Sequence, residues 1–384
     1  MSRLNTKLII IVIISVIFLS SSLYFYLNKT STNGDSLKES GSKSFIDKFT
    51  DQVKEKPKPI AVNPLNGVQY FDSEILNALN RFPVGVMVNN AVPARPQSGL
   101  RQADLIYEIV AEGGITRYLA IYLSETPKIV GPIRSVREYY LPFVKENGNA
   151  SLMHIGYSPQ AFQKIPEWEV FSIGLKGADF HRDNHGNLSV ATEHTAYSIG
   201  QDLFDFSQKL RGAQQPSFET WKFKDSKTTD LNLKDVNSVQ IDFWYEGDYS
   251  AYFKYDKETN EYVRHTGVSG SGQPEILLDR ETKNEIRVKN VIIQLAEEFP
   301  IPNDDKNRLD YKVIGSGKSY VLLDGKVIEG AWKKDSLNSK TRFFDLSGKE
   351  VELNRGKIWV SVVPSRNEGQ IYFNDSNKTV TVTN

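Results

Sequence analysis

Hydrophobic and polar positions change character along the chain and mark six segments. Residues 8–27 carry no charge and consist of Leu, Ile, Val, Phe and Tyr with four serines. As a helix this run spans about 30 Å, enough to cross a hydrocarbon core. Residues 28–63 are rich in Ser, Lys, Asp, Glu, Asn and Gly and predict a flexible stalk. Within it, 45–53 has apolar residues at helical spacing, and Lys56-Pro57-Lys58-Pro59 stiffens the approach to the folded part. Residues 64–212 mix the two periodicities. Strands are predicted at 84–88, 106–112, 116–123 and 151–155, the second and third forming a hairpin at Gly113-Gly114. Helices are predicted from Asp72 or Ser73, from the capping box 135–138 (kinked at Pro142 or confined by it to a short piece), from Ser158 to Pro166, and from the capping box 198–201 to Gly212. Residues 213–234 read as a linker. From 235 to 384 alternating runs separated by Gly-containing turns predict a mostly antiparallel β domain. The expected class is α+β: a signal-anchor helix at 8–27, a mixed α/β domain at 64–212 and a β-rich domain at 235–384.

Charge orients the apolar run. Arg3 and Lys7 precede it and no acid does, so residues 1–7 are expected in the cytoplasm and the bulk outside. Tyr24, Phe25 and Tyr26 end the run as an interface belt. The alternative is a signal peptide cleaved near Asn28, whose apolar region is usually shorter and ends in a small-x-small site. The chain has no cysteine, which excludes disulfides, thiolate chemistry and lipid attachment through an N-terminal Cys. Of 47 basic and 47 acidic residues, two basic and no acidic ones lie in 1–27, so the remainder is formally −2. That balance gives no electrostatic reason to bind nucleic acid.

The densest polar signal runs from Asn89 to Arg137. Arg134 and Arg137 flank an expected helix start, where free amides favour an anion and guanidinium forks suit carboxylate or phosphate. Arg117, Arg134 and Arg137 are therefore candidate anion ligands, with Glu108 and Glu112 positioning them. The competing reading pairs these arginines with Glu108, Glu112 and Glu138 inside the domain. Glu108 and Glu112, four apart on a strand, are expected on one face, where they could also serve as acid and base. Three of five histidines fall in 180–194. His181 and His185 read as loop residues, whereas His194, before the helix and Tyr197, is a candidate for a structured role. No arrangement matches a zinc, cofactor or serine-nucleophile motif. Gly315-Ser316-Gly317-Lys318-Ser319 lacks the first P-loop glycine, since Lys312 stands there, and reads as a β-turn. Tyr245, Tyr249, Tyr252, Phe253 and Tyr255 could line a glycan surface, or divide between core and sheet surface.

Four stretches carry a family resemblance: ADLIYEIVAEGGITRYLA at 103–120, GPIRSVR at 131–137, Arg182 with His194-x-x-Tyr197, and IGSGKSYVLLDGKVIEGAW at 314–332. Over about 64–364 the chain resembles the YerB-like family of bacterial envelope proteins. The resemblance implies location and a two-part architecture rather than an enzymatic activity, and adds Arg182 to the anion candidates. Two departures are visible. Many relatives look like lipoproteins, whereas this chain has no cysteine. The family also tends toward Pro-His-Asn-Leu-Tyr where this chain has Glu193-His194-Thr195-Ala196-Tyr197. The expected function is a membrane-anchored, extracytoplasmic, non-catalytic protein binding a cell-wall component or an envelope partner. The alternative is an envelope hydrolase or transferase acting on a glycan or phosphodiester through Glu108, Glu112, Arg134 and His194.

Overall fold

A computed structural model describes residues 57–374, except 229, 231–232, 268–273 and 305. The anchor expected at 8–27 and the stalk up to 56 lie outside the described residues, among which no helix is long and apolar enough to cross a membrane. Strand pairing is already present before 64: Ala61–Val62 pairs with Gln69–Tyr70. Buried Asp104 explains this, because the Asn63 and Asn66 amides donate to its Oδ1 at 2.8 and 2.7 Å.

Fourteen strands carry the argument: β1 Val84–Asn89, β2 Leu105–Glu112, β3 Ile115–Tyr122, β4 Ser151–Met153, β5 Lys234–Asp235, β6 Ser238–Ile241, β7 Ala251–Asp256, β8 Glu261–Thr266, β9 Asn290–Ala296, β10 Gly315–Leu323, β11 Lys326–Lys334, β12 Arg342–Asp345, β13 Ile358–Pro364 and β14 Ile371–Phe373. A ten-stranded sheet runs β5-β11-β10-β9-β13-β2-β3-β1-β4, with β12 added on β11. Most neighbours are antiparallel, but β13 lies parallel to both β9 and β2, and β1 parallel to β4. Strands from both expected domains thus share one sheet, and the described residues from Lys58 onward form one compact unit. All seven residues of β9 and of β13 are buried, as continuous apolar runs covered on both faces require.

Of four helices, α1 Leu76–Leu79, α2 Leu141–Glu146, α3 Pro159–Glu167 and α4 Gly200–Arg211, α2 lies on one face of this sheet. Phe143 of α2 stacks on Tyr107 of β2 at 4.4 Å. The other face packs on a six-stranded sheet built on β8-β7-β6-β14. Trp359 of β13 sits between the layers, edge-on to Phe253 of β7 and to Tyr118 of β3.

Local signals set several elements as expected. Gly113 and Gly114 turn the β2–β3 hairpin at φ 58° and 78°, angles a side chain disfavours. Ser158 Oγ accepts Ala161 N–H and caps α3. Other expectations are corrected. Ser135 does not cap a helix, because its Oγ accepts from Arg117 Nη1 at 3.2 Å. A 3-10 turn, Glu138–Tyr140, leads instead into α2, a short piece of six residues with Pro142 in its first turn, as the second of the two Pro142 expectations has it. Ser198 likewise donates to Asp179 O rather than capping α4. Pro166 lies inside α3 rather than stopping it. Residues 315–319 open strand β10 rather than forming a turn. Gly317 is small there because a Cβ would stand 2.5 Å from the Trp332 indole nitrogen.

Candidate functional site

β2 and β3 run in register from Leu105↔Ile121 to Val110↔Thr116, and then the pairing jumps to Glu112↔Ile115. This bulge at Ala111 breaks the period of two. Glu108 and Glu112, expected on one face, point to opposite faces. Glu108 enters the layer shared with the second sheet, fully buried. Arg264 of β8 donates to both of its oxygens at 3.1 and 3.0 Å, with Thr116 and the Trp359 indole completing the shell. Glu108 therefore neither positions Arg117, Arg134 and Arg137 nor meets solvent. The acid–base pair imagined for Glu108 and Glu112 is not formed.

Glu112 emerges on the face that carries α2 and collects two arginines. Arg117 Nη2 reaches its Oε2 at 2.7 Å, and Arg137 pairs with its Oε1. Arg117 is further held by Ser135 O at 2.8 Å, and Arg137 by Val136 O at 2.8 Å. Arg134 stands beside them and meets Glu193 at 3.2 Å, both side chains partly exposed at 28% and 52%. Three guanidinium groups thus share two carboxylates. Burial pushes Arg117 down to about 10, and the Arg137 and Arg134 charges add to this against the pull of Glu112. It stays cationic at neutral pH, but in an environment short of negative charge. The helix amides expected to help are absent, since no capped helix begins at Ser135. Any attraction for an anion here comes from the guanidiniums.

His194 joins the same neighbourhood. Asn89, opposite Arg117 in the β1–β3 register, donates its amide to His194 Nδ1 at 2.8 Å. Burial and Arg134 hold this imidazole below its usual range, with Glu193 opposing. Arg182 does not join the cluster: its Nη1 binds Thr192 O and lies 3.3 Å from Thr195 Oγ1, so it ties the 181–195 loop together. His154 is structural, bonded through both ring nitrogens to Gly156 O and Ser172 Oγ and pushed down to about 4 by burial. Among the described residues no three His, Asp or Glu side chains group as metal ligands. The aromatic run of the second sheet divides as the packing reading expects: Phe253 is buried and Tyr245 exposed.

Beside His194 opens a cleft of about 190 Å³ lined by Arg95, Asp183, His185, Tyr197 and Arg280 among others. Arg280, like Arg264, was not singled out by the sequence. Arg264 carried a signal, a charge at a core-facing position between Tyr262 and Thr266, as Glu108 did within LIYEIVA.

Two family models match the chain, described as the N-terminal domain of a protein of unknown function (DUF3048) over residues 72–213 and its C-terminal domain over residues 239–360. The chain is 30% identical over 306 residues to a Bacillus subtilis (strain 168) protein named "Putative lipoprotein YerB", covering 76% of this chain and 84% of that one. The crystal structure of YerB protein from Bacillus subtilis superposes with a TM-score of 0.67 at 28% identity, covering 82% of this chain and 99% of that one.

Proposed function

The chain belongs to the YerB-like family, whose two DUF3048 segments it carries, and from that premise we propose a membrane-associated, extracytoplasmic envelope protein that binds an anionic wall component or wall-assembly partner without transforming it. The lipoprotein name of its relative and the apolar run at 8–27 support the location. In a chain without the lipidated cysteine, that run supplies a single-pass anchor with its N-terminus inside.

The observation that carries the binding role is the closeness of three guanidiniums, Arg117 and Arg137 paired on Glu112 and Arg134 beside them on Glu193. Arg117 and Arg137 are fixed by backbone carbonyls and Glu112, so they are preorganised. Arg134 is the exchangeable member. Its pair with Glu193 is partly solvated, and such pairs contribute about 0–1 kcal/mol. An incoming carboxylate or phosphate therefore displaces Glu193 at little cost and gains a planar fork.

Purified full-length protein in mild detergent is expected to co-sediment with isolated cell walls at low salt and to be released by raised salt. Arg134→Glu should abolish co-sedimentation while leaving the melting temperature within about 2 °C, since exposed substitutions usually change stability by less than about 0.5 kcal/mol. Equal retention of the variant would remove the basis of this reading.

A further inference from the structure

We propose that the cleft beside His194 is a second site, built for one small oxyanion group, a phosphate or a carboxylate. It rests on Arg95 and Arg280, 185 positions apart in sequence, and not on Arg134. Its success or failure is therefore separable from that of the preceding reading.

Both guanidiniums are held by neutral oxygens. Arg95 donates Nε to Asn90 O at 3.2 Å and to Asn90 Oδ1 at 3.1 Å, and Nη2 to Asp248 O at 2.8 Å. Arg280 donates Nε to Pro96 O at 2.8 Å, and its own backbone N–H bonds to Gln97 O at 2.7 Å. These bonds fix the two groups but neutralise neither. Among the described residues neither arginine is in an ion pair, and both terminal nitrogens of Arg280 are without a protein partner. A half-buried cation normally has an acid against it. Two acids lie nearby, and each is engaged by another group: Asp183 by His185 within the lining, and Glu281 by Ser98. Asp183 Oδ1 accepts His185 N–H at 2.6 Å, and its Oδ2 is 3.3 Å from His185 Nδ1. Glu281 accepts from Ser98 Oγ at 2.9 Å.

The remaining lining is rich in donors, and the hydrogen-bond network assigns them. Asn89 Oδ1 accepts Ala91 N–H at 3.0 Å, which turns the Asn89 NH₂ onto His194 Nδ1. His194 Nδ1 must accept, so the neutral ring carries its proton on Nε2. Asn184 Oδ1 takes Gly186 N–H at 3.1 Å, and Asn187 Oδ1 takes Ser189 N–H at 3.1 Å. Their NH₂ groups are left without partners at the rim. The Arg280 fork, the Arg95 Nη1, an imidazole N–H and two amide groups around a space this small match the acceptor-only surface of an oxyanion. A cation would find one carboxylate already occupied, and a polymer would find no room.

The test is titration calorimetry of the full-length protein in mild detergent, in chloride buffer, with inorganic phosphate and with acetate as probes. Saturable binding of phosphate, of acetate or of both is expected, and the tighter probe identifies the oxyanion class. The titrations are repeated in an Arg134→Gln background, which lacks the exchangeable ligand of the preceding reading. There saturable binding should persist, and Arg280→Gln should weaken it at least tenfold. Asn187→Asp is nearly isosteric and keeps the Ser189 contacts. It should also weaken binding severalfold by adding a negative charge at the rim, and it covers the case in which Arg280→Gln fails to fold. Absence of saturable binding with both probes would overturn the proposal, as would binding by either folded variant at wild-type strength. Loss of all saturable binding in Arg134→Gln would also overturn it, by assigning the bound ion to the preceding site.

Discussion

Replacing Glu108 with Gln is expected to lower the unfolding free energy by about 3–5 kcal/mol, read as a large fall in the denaturant midpoint. Glu108 and Arg264 are both wholly inaccessible, and the substitution leaves a guanidinium charge in the core without its counter-ion. Arg264→Met should cost a similar amount by stranding the carboxylate. The double variant Glu108→Leu with Arg264→Met should be markedly more stable than either single one, because no buried charge remains. The present pair is also imperfectly satisfied: Arg264 Nε and Nη1 have no hydrogen-bond partner, and the cation rests instead at 5.2 and 5.1 Å over Phe253 and Trp359. If the two single variants unfold at the wild-type midpoint, the pair does not join the layers in the way described.

The second large effect is expected at Glu146, where one buried carboxylate serves two buried lysines. Its Oε2 accepts from Lys334 Nζ at 2.7 Å and from Thr341, while its Oε1 accepts from the Tyr107 hydroxyl. Lys340 lies next to it, donating to Asn147 Oδ1 at 2.6 Å with its ammonium 3.6 Å over the Trp221 ring. Glu146→Gln leaves Lys334 without a counter-ion and should cost about 3–5 kcal/mol.

The lysines also give the protein a pH signature. Burial pushes Lys340 down to about 7 against the attraction of Glu146, whereas the unfolded chain protonates it up to its usual value near 10.5. Between these limits the unfolded state binds the extra proton, so stability rises with pH from 7 toward 10.5. The slope is at most about 1.4 kcal/mol per pH unit. Below pH 7 the penalty is fully present. Burial opposes ionisation of Glu146, but Lys334 and Lys340 outweigh it and hold the carboxyl below its usual range. Its contribution is thus present above pH 4.5 and lost as pH falls through the lowered value. Lys340→Met should flatten the rise between pH 7 and 10 and stabilise the protein at pH 6. An unchanged profile would mean that Lys340 is solvated in the native state.

Ser158, Gly113 with Gly114, and Gly212 show what short-range chemistry decides. A hydroxyl caps three residues ahead, glycine takes a positive φ, and a helix of one apolar face stops where its cap residue allows. These effects act within one or two turns of chain, so the hairpin, the helix starting at Ser158 and the largely antiparallel second half were legible without a structure. The apolar run at 8–27 is similarly a property of composition. The candidate arginines were legible as residue types, and the pairing of Arg117 and Arg137 with Glu112 was the competing reading of that segment.

Only the tertiary structure decided which partners those charges meet. One bulge residue, Ala111, sends Glu108 and Glu112 to opposite faces, and nothing in the alternation of β2 announces it. Glu108 finds Arg264 at 156 positions' distance, Glu146 finds Lys334 at 188, and Arg280 reaches Pro96 O at 184. β13, near the end of the chain, inserts between β9 and β2 and joins both segments in one sheet. Local periodicity reports which positions prefer to leave water. Which buried charge neutralises which, and which arginines remain for a ligand, depends on how strands distant in sequence are brought into register, because desolvation makes a buried charge accept whatever counter-ion the fold places beside it.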